Sequence, residues 1–139
     1  RAWDTAQICV EGRGISVEPA PALREQDMGA LEDLTWAKAE KLCGELVGHL
    51  LADWFHTTPP AGESPAQMLQ RVGGCVDELV RGGEDTLLVA HNGSLSLVLY
   101  HLGLIEEKNL LQHGWFFRYG TYSAIRADEN GAELVCFNR

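Results

Sequence analysis

One stretch constrains the fold more than any other: DTLLVAHNGSLSLVLYHLGL, residues 85–104. Thr86 to Ala90 is a short run of apolar and β-branched residues, the pattern of a strand buried on both faces. The run stops at His91, and Asn92 and Gly93 follow. Leu95, Val98, Leu99 and Leu102 then recur at the spacing of a buried helix that Gly103 ends. In an open α/β sheet, ligands sit beyond the C-terminal ends of the strands, and His91 occupies such an end. The N–H groups and positive dipole end of a helix starting near Gly93 and Ser94 point into the same space, which suits a phosphate. Gly93 lets the backbone approach closely, and Asn92 tolerates a left-handed turn. A structural histidine that hydrogen-bonds a loop would show the same spacing, so both roles stay open at this point.

The rest of the chain supplies alternating helices and strands. Ala2 to Val10 suits a short helix ending near Gly12 or Gly14, and Ile15 to Val17 a short strand. Pro19 and Pro21 break regular structure, and Leu23 to Asp33 reads as an irregular loop. Thr35 can cap a helix reaching about His56, with Leu42, Cys43, Leu46, Val47, Leu50 and Trp54 on one face. Pro59 and Pro60 stop it. Ser64, Pro65 and Gln67 form a capping-box signature for a second helix, with Met68, Leu69, Val72, Val76, Leu79 and Val80 as its apolar face and Gly82 and Gly83 at its end. Strands are expected over Trp115 to Tyr119, Tyr122 to Ala127 and Leu134 to Phe137, with Asn130-Gly131 as a hairpin turn. No linker divides the chain. The expectation is one α/β domain over residues 1–139, built on a mixed, mostly parallel sheet flanked by helices.

Charge narrows the function. A net charge of −9 argues against broad nucleic-acid binding, which needs a basic surface, but a small cationic pocket can still take an anionic substrate. No apolar run approaches the roughly 18 residues of a membrane span, and no signal peptide is visible, so a cytoplasmic location is expected. The four cysteines, Cys9, Cys43, Cys75 and Cys136, are scattered and read as buried thiols rather than a metal or redox pair. The chain opens on Arg1 rather than Met, which suggests a processed N-terminus or a fragment. Glu25 stands out among the carboxylates because it lies in the irregular loop, where active-site groups concentrate, and a Glu there can donate a proton to a leaving oxygen. A solvated Glu beside Arg24 fits the same loop. His49 and His101 read as packing or surface residues, His56 lacks the strand-end placement of His91, and His113 precedes an expected strand.

Four stretches resemble, in order, the motifs of one family. RAWDTA (Arg1 to Ala6) is similar to an Arg-Ala-x-x-Thr-Ala motif. LREQDMGALEDLTW is similar to a Leu-x-Glu-x-x-x-Gly-x-x-Glu-Gly segment. PAGES (Pro60 to Ser64) matches a Gly-Glu-Ser that opens a helix, and LLVAHNGSL is similar to a strand ending in His-Gly-Gly. The family is the histidine phosphatase superfamily, in its phosphoglycerate-mutase-like branch, and the closing YSAIRADENGAELVCFNR resembles the final hairpin of its α-ribazole phosphatase-like members. The resemblance implies a phosphomonoesterase that needs no metal or other cofactor and forms a phosphohistidine on a small phosphorylated metabolite. By the same resemblance, Glu25 and His91 are catalytic, with Glu25 moving the proton at the leaving oxygen. Arg1, His91, Asn92 and Gly93 hold the phosphoryl group, Ser64 caps a helix and Glu32 is structural.

The departures are as informative. The family's Arg-His-Gly motif, which carries the nucleophile on the first strand, is absent: no Arg-His pair occurs in the chain. The expectation is that this strand precedes Arg1 and that residues 1–139 alone are inactive. The alternative is an inactive domain of the same fold that binds a phosphorylated ligand or a partner. Asn92 stands in place of the usual first glycine, where it would donate to phosphate or narrow the pocket. Asp33, Met28 and Leu31 alter the loop Gln26 to Asp33, which together with Leu104 to His113 would select the substrate. Nothing resembles the longer insertions of the glycolytic mutases, so phosphatase is expected ahead of mutase. A sheet edge offered by the final strands would allow a homodimer.

Overall fold

The computed structural model describes residues 1–111 and 113–139, with His113 described by its backbone alone. The helices are α1 (Ala2–Val10), α2 (Trp36–Ala52), α3 (Pro65–Gly82) and α4 (Asn92–His101), and the strands are β1 (Ala124–Asp128) and β2 (Gly131–Cys136). Short 3₁₀ turns occupy Pro21–Leu23, Gly29–Leu31, Glu107–Asn109 and His113–Trp115. The residues group into two compact units, Gln26–Gln70 on one hand, and Arg1–Glu25 with Arg71–Arg139 on the other.

The unit Gln26–Gln70 has a small apolar core of Leu31, Ala39, Val47 and Leu50, joined by Met28, Leu34, Cys43 and Leu46. Thr35 caps α2 as expected, its hydroxyl accepting from the Lys38 N–H at 3.3 Å. The helix is kinked at Cys43 (φ −151°, ψ 53°), so Leu42, expected on the apolar face, is 75 % exposed. It also ends at Ala52, short of His56. Asp53 Oδ1 accepts from the His56 N–H at 3.3 Å and pairs with His56 Nδ1 at 2.9 Å, and these local bonds compete with another helical turn.

Two glycines close this unit. Gly29 (φ +52°) lies so near the backbone of Pro60 and Gly62 that a Cβ there would collide with main-chain atoms, and a Cβ on Gly62 would stand 2.6 Å from the Asp27 carbonyl. The segments are laced by Ala30 N–H to the Pro60 carbonyl at 2.9 Å and Glu63 N–H to the Asp27 carbonyl at 2.8 Å. Buried Gln26 adds a cross-tie: its Oε1 accepts from Trp54 Nε1 at 2.6 Å and its Nε2 donates to the Glu63 carbonyl at 2.8 Å. Glu32 is structural as expected, accepting from the Met28 N–H at 2.9 Å. Ser64 and Gln67 form the expected capping box at the start of α3, at 2.8 and 3.2 Å.

In the other unit, α1 matches its expected bounds, and Gly12 and Gly14 follow it at φ +71° and +68°. Leu97 and Leu99 of α4 are fully buried, and Gly103 (φ +69°) lets the Leu104 N–H return to the Leu99 carbonyl at 2.9 Å. His101 is a packing residue as expected, its Nε2 2.7 Å from Asp77 Oδ1 and its ring filling the space a side chain at Gly73 would need. β1 and β2 pair antiparallel with Asp128 opposite Gly131 (φ +149°), and Asp128 Oδ1 accepts from the Asn130 N–H at 2.7 Å inside the turn.

The sheet differs from the sequence-based expectation. Among the described residues it has two antiparallel strands, and the mixed, mostly parallel sheet is not seen. Residues 85–90 and Ile15 to Val17 carry strand-like side chains but lie beside no ladder partner, and Leu87 is 66 % exposed. A strand is defined by pairing, so an apolar pattern without a neighbour does not make one. Phe116 to Tyr119 is irregular for a different reason: the Phe117 and Arg118 N–H groups donate to the side chains of Asn92 (3.2 Å) and Asn138 (3.0 Å) instead of a ladder. The chain thus combines helices with a small antiparallel sheet, an α/β composition.

Candidate active site

The candidate site lies in the unit formed by Arg1–Glu25 and Arg71–Arg139. Residues 21–23 make one 3₁₀ turn anchored by buried Leu23, and the chain then runs extended through Arg24 (φ −57°, ψ 153°) to Glu25. Such a segment leaves carbonyls that no helix or ladder satisfies. Arg71 of α3 satisfies them. Its Nη1 donates to the Ala22 carbonyl at 2.6 Å and the Arg24 carbonyl at 2.8 Å, and its Nη2 to the Glu25 carbonyl at 3.2 Å. A planar guanidinium can serve three acceptors in one fixed fork.

The loop delivers the Glu25 carboxylate to the start of α4. Glu25 Oε2 accepts from the Gly93 N–H at 3.2 Å, so a carboxylate meets the positive end of the helix dipole. A Cβ at position 93 would fall onto Glu25 Oε1, so any side chain there would push the carboxylate aside. His91 precedes the helix in extended conformation (φ −123°, ψ 162°) as its N-cap residue. Ser94, fully buried, locks that corner: its Oγ accepts from the His91 N–H at 3.2 Å and donates to the His91 carbonyl at 3.1 Å. His91 and Glu25, 66 positions apart in number, are therefore brought to one helix end through Gly93.

Asn92 carries a structural bond besides its expected role. Its Oδ1 accepts from the Phe117 N–H at 3.2 Å, so the side chain fastens the segment before the hairpin, and only its Nδ2 donor remains to meet a ligand. Arg1 sits at the start of α1 with its side chain 87 % exposed, and among the described residues its one ion pair is between the amino terminus and Asp4 at 3.9 Å. No hydrogen bond or ion pair among the described residues joins it to Glu25 or His91. The side chain of His113 lies outside the described residues. The reading of sequence missed Arg71, which lies 46 to 49 residues from the carbonyls it holds, and no local pattern marks such a contact.

A single group outside the site shows how position sets reactivity. Burial, and secondarily the nearby Glu78 charge, pushes the Cys75 thiol above its ordinary range. Cys9, by contrast with the expectation of a buried thiol, is exposed.

Known proteins resemble this chain in sequence and in fold. The sequence model of the histidine phosphatase superfamily (branch 1) matches residues 1–139. A bifunctional protein of Mycobacterium tuberculosis is 36 % identical over 106 residues, 76 % of this chain and 27 % of that protein. A 2,3-bisphosphoglycerate-dependent phosphoglycerate mutase of Afipia carboxidovorans is 31 % identical over 119 residues, 81 % of this chain and 58 % of the mutase. The chain thus spans about a quarter and somewhat over half of these relatives. Among solved structures, the α-ribazole phosphatase from Shigella flexneri superposes with a TM-score of 0.86 at 26 % identity, covering 99 % of this chain and 68 % of that one. A mycobacterial glucosyl-3-phosphoglycerate phosphatase superposes with a TM-score of 0.78 at 25 % identity, covering 99 % and 71 %. Sequence and fold agree: the chain belongs to the histidine phosphatase superfamily, branch 1.

Proposed function

We propose that this chain carries the acid–base and phosphoryl-binding part of a phosphomonoesterase that works through a phosphohistidine on a small phosphorylated metabolite. The observation that carries the reading is the Glu25 carboxylate held 3.2 Å from the Gly93 N–H, at the helix that His91 opens. In this reading the attacking histidine belongs to a strand outside residues 1–139, and Thr86 to Ala90, which have no ladder partner among the described residues, would pair beside it in a mostly parallel sheet. His91 and Arg1 supply positive charge to the equatorial phosphoryl oxygens. A phosphoryl group arriving beside Glu25 repels its negative charge and so favours the neutral acid, which can then protonate the leaving oxygen. Water next attacks the phosphohistidine, with Glu25 accepting its proton, and inorganic phosphate leaves. The resemblance to an α-ribazole phosphatase and to a glucosyl-3-phosphoglycerate phosphatase supports a small phosphate ester as substrate class. Cytoplasmic location and homodimerisation belong to the same proposal. No helix among the described residues is long and apolar enough to cross a membrane.

The test is rapid quenching of the full-length protein in alkaline detergent during turnover of a radiolabelled aryl phosphate. A labelled, acid-labile and base-stable phosphoprotein is expected, and it should disappear when the upstream histidine is replaced. His91→Ala should lower kcat/KM by about 100-fold, the order of removing one preorganised donor to a developing charge. Full-length protein that binds phosphate yet forms no such intermediate would establish the non-catalytic binding domain instead.

A further inference from the structure

We infer that Arg71 is the positioning residue of the reaction: by gripping the main chain of residues 22–25 it sets the Glu25 carboxyl where the leaving oxygen departs. The inference rests on the reading of Glu25 as proton donor and deepens it. Three observations support it. The carbonyls of Ala22, Arg24 and Glu25 converge on a single guanidinium at 2.6, 2.8 and 3.2 Å. The segment they belong to leaves its 3₁₀ turn after Leu23, so its main chain beyond that turn has no helix or ladder to hold it. At its far end the Glu25 carboxylate accepts from the Gly93 N–H. The acid is therefore held at its backbone from α3 and at its head from α4.

Arginine suits this task for a geometric reason. Its donors lie in one plane at fixed angles, so two nitrogens can reach three carbonyls strung along a turn without bending the chain toward them. A lysine ammonium in the same place is a point charge on a flexible stem, and it would let the segment drift. A misplacement of about 1 Å at a reacting group is enough to cost on the order of 100-fold in rate. In the step concerned, the phosphorus–oxygen bond to the leaving group breaks, and the Glu25 proton moves to that oxygen. The need for the proton grows as the leaving oxygen becomes more basic, which gives the role a signature that general destabilisation lacks.

The experiment measures kcat and KM of the full-length protein, Glu25→Gln, Arg71→Lys and Arg71→Ala on phosphate esters ranging from nitrophenyl to simple alkyl leaving groups. Because Glu25 also takes the water proton, Glu25→Gln should lower kcat on every ester; in kcat/KM, which reports leaving-group departure, the loss should grow from small with nitrophenyl to about 100-fold with alkyl esters. Arg71→Lys should follow the same kcat/KM trend at about 10-fold, and added guanidinium should partly restore Arg71→Ala. A steep kcat/KM trend for Glu25→Gln beside equal losses on every ester for the Arg71 variants would overturn the inference alone. A flat kcat/KM response for Glu25→Gln would overturn the reading of Glu25 and the inference with it. If Arg71→Ala does not fold, the lysine variant carries the comparison; if neither folds, Arg71 is a fold determinant and the inference fails.

Discussion

The two compact units fasten their irregular segments in different ways. In Gln26–Gln70, residues 27–30 are joined to residues 60–63 by main chain against main chain, with Gly29 and Gly62 removing the side chains that would keep them apart. In the other unit, residues 22–25 are held by side chains: Arg71 on the backbone, and the Glu25 carboxylate on the Gly93 N–H. The first kind of closure tolerates almost any side chain except at its two glycines. The second depends on a single guanidinium and a single carboxylate, and it keeps the carboxylate exchangeable. A structural seam and a reactive group have opposite needs, and the two units meet them separately.

Substitutions at the paired glycines should separate these closures most clearly. Gly29→Ala combines a positive φ with a main-chain collision, and is expected to cost about 3 kcal/mol in chemical denaturation. Gly93→Ala should do the reverse. Its methyl displaces the Glu25 carboxylate rather than backbone, so kcat/KM of the full-length protein should fall about 100-fold while the denaturation midpoint moves little. Equal stability losses for the two would erase the distinction.

Smaller effects sharpen it. Ser64→Ala removes the cap of α3 and should cost about 1 kcal/mol by the same denaturation measurement, with kcat unchanged. The smallest concerns Asp53, which the side-chain hydrogen bond to His56 holds below the ordinary carboxylate range; desolvation opposes it, and the His56 backbone N–H and charge add lesser lowering. A lowered folded value means that this pair supports the fold above the ordinary Asp range and ceases to as pH falls through the folded value. Carboxyl NMR titration should show Asp53 returning upward in His56→Ala. An unchanged titration would show that the exposed pair does not form in solution.

What was legible in the sequence was local. Thr35, and Ser64 with Gln67, announced helix starts because a cap and its partner lie three residues apart. The hairpin and the α4 start were legible for the same reason. The kink at Cys43 was not: Gly44 follows it, but a lone glycine inside an apolar helical pattern does not say whether or where the helix bends. Residues 85–90 were readable as a pattern but not as a strand, because pairing belongs to two segments. Glu25 and His91 could be singled out by type and placement, and their meeting at Gly93 supports the choice without assigning chemistry. Arg71 and Gln26 were invisible: each acts on groups some 28 to 49 residues away, and nothing in their immediate neighbours differs from an ordinary helix or loop.

The amide of Gly93 is already engaged by the protein's own carboxylate. An incoming oxyanion that uses this donor must evict an occupant before it can settle, and the bond it gains replaces one the resting protein already had. Charge-assisted bonds of this kind contribute about 1.5–3 kcal/mol, so the exchange trims affinity by roughly ten- to a hundredfold. In the proposed phosphatase, which would release inorganic phosphate in every cycle, that resident competitor would speed departure.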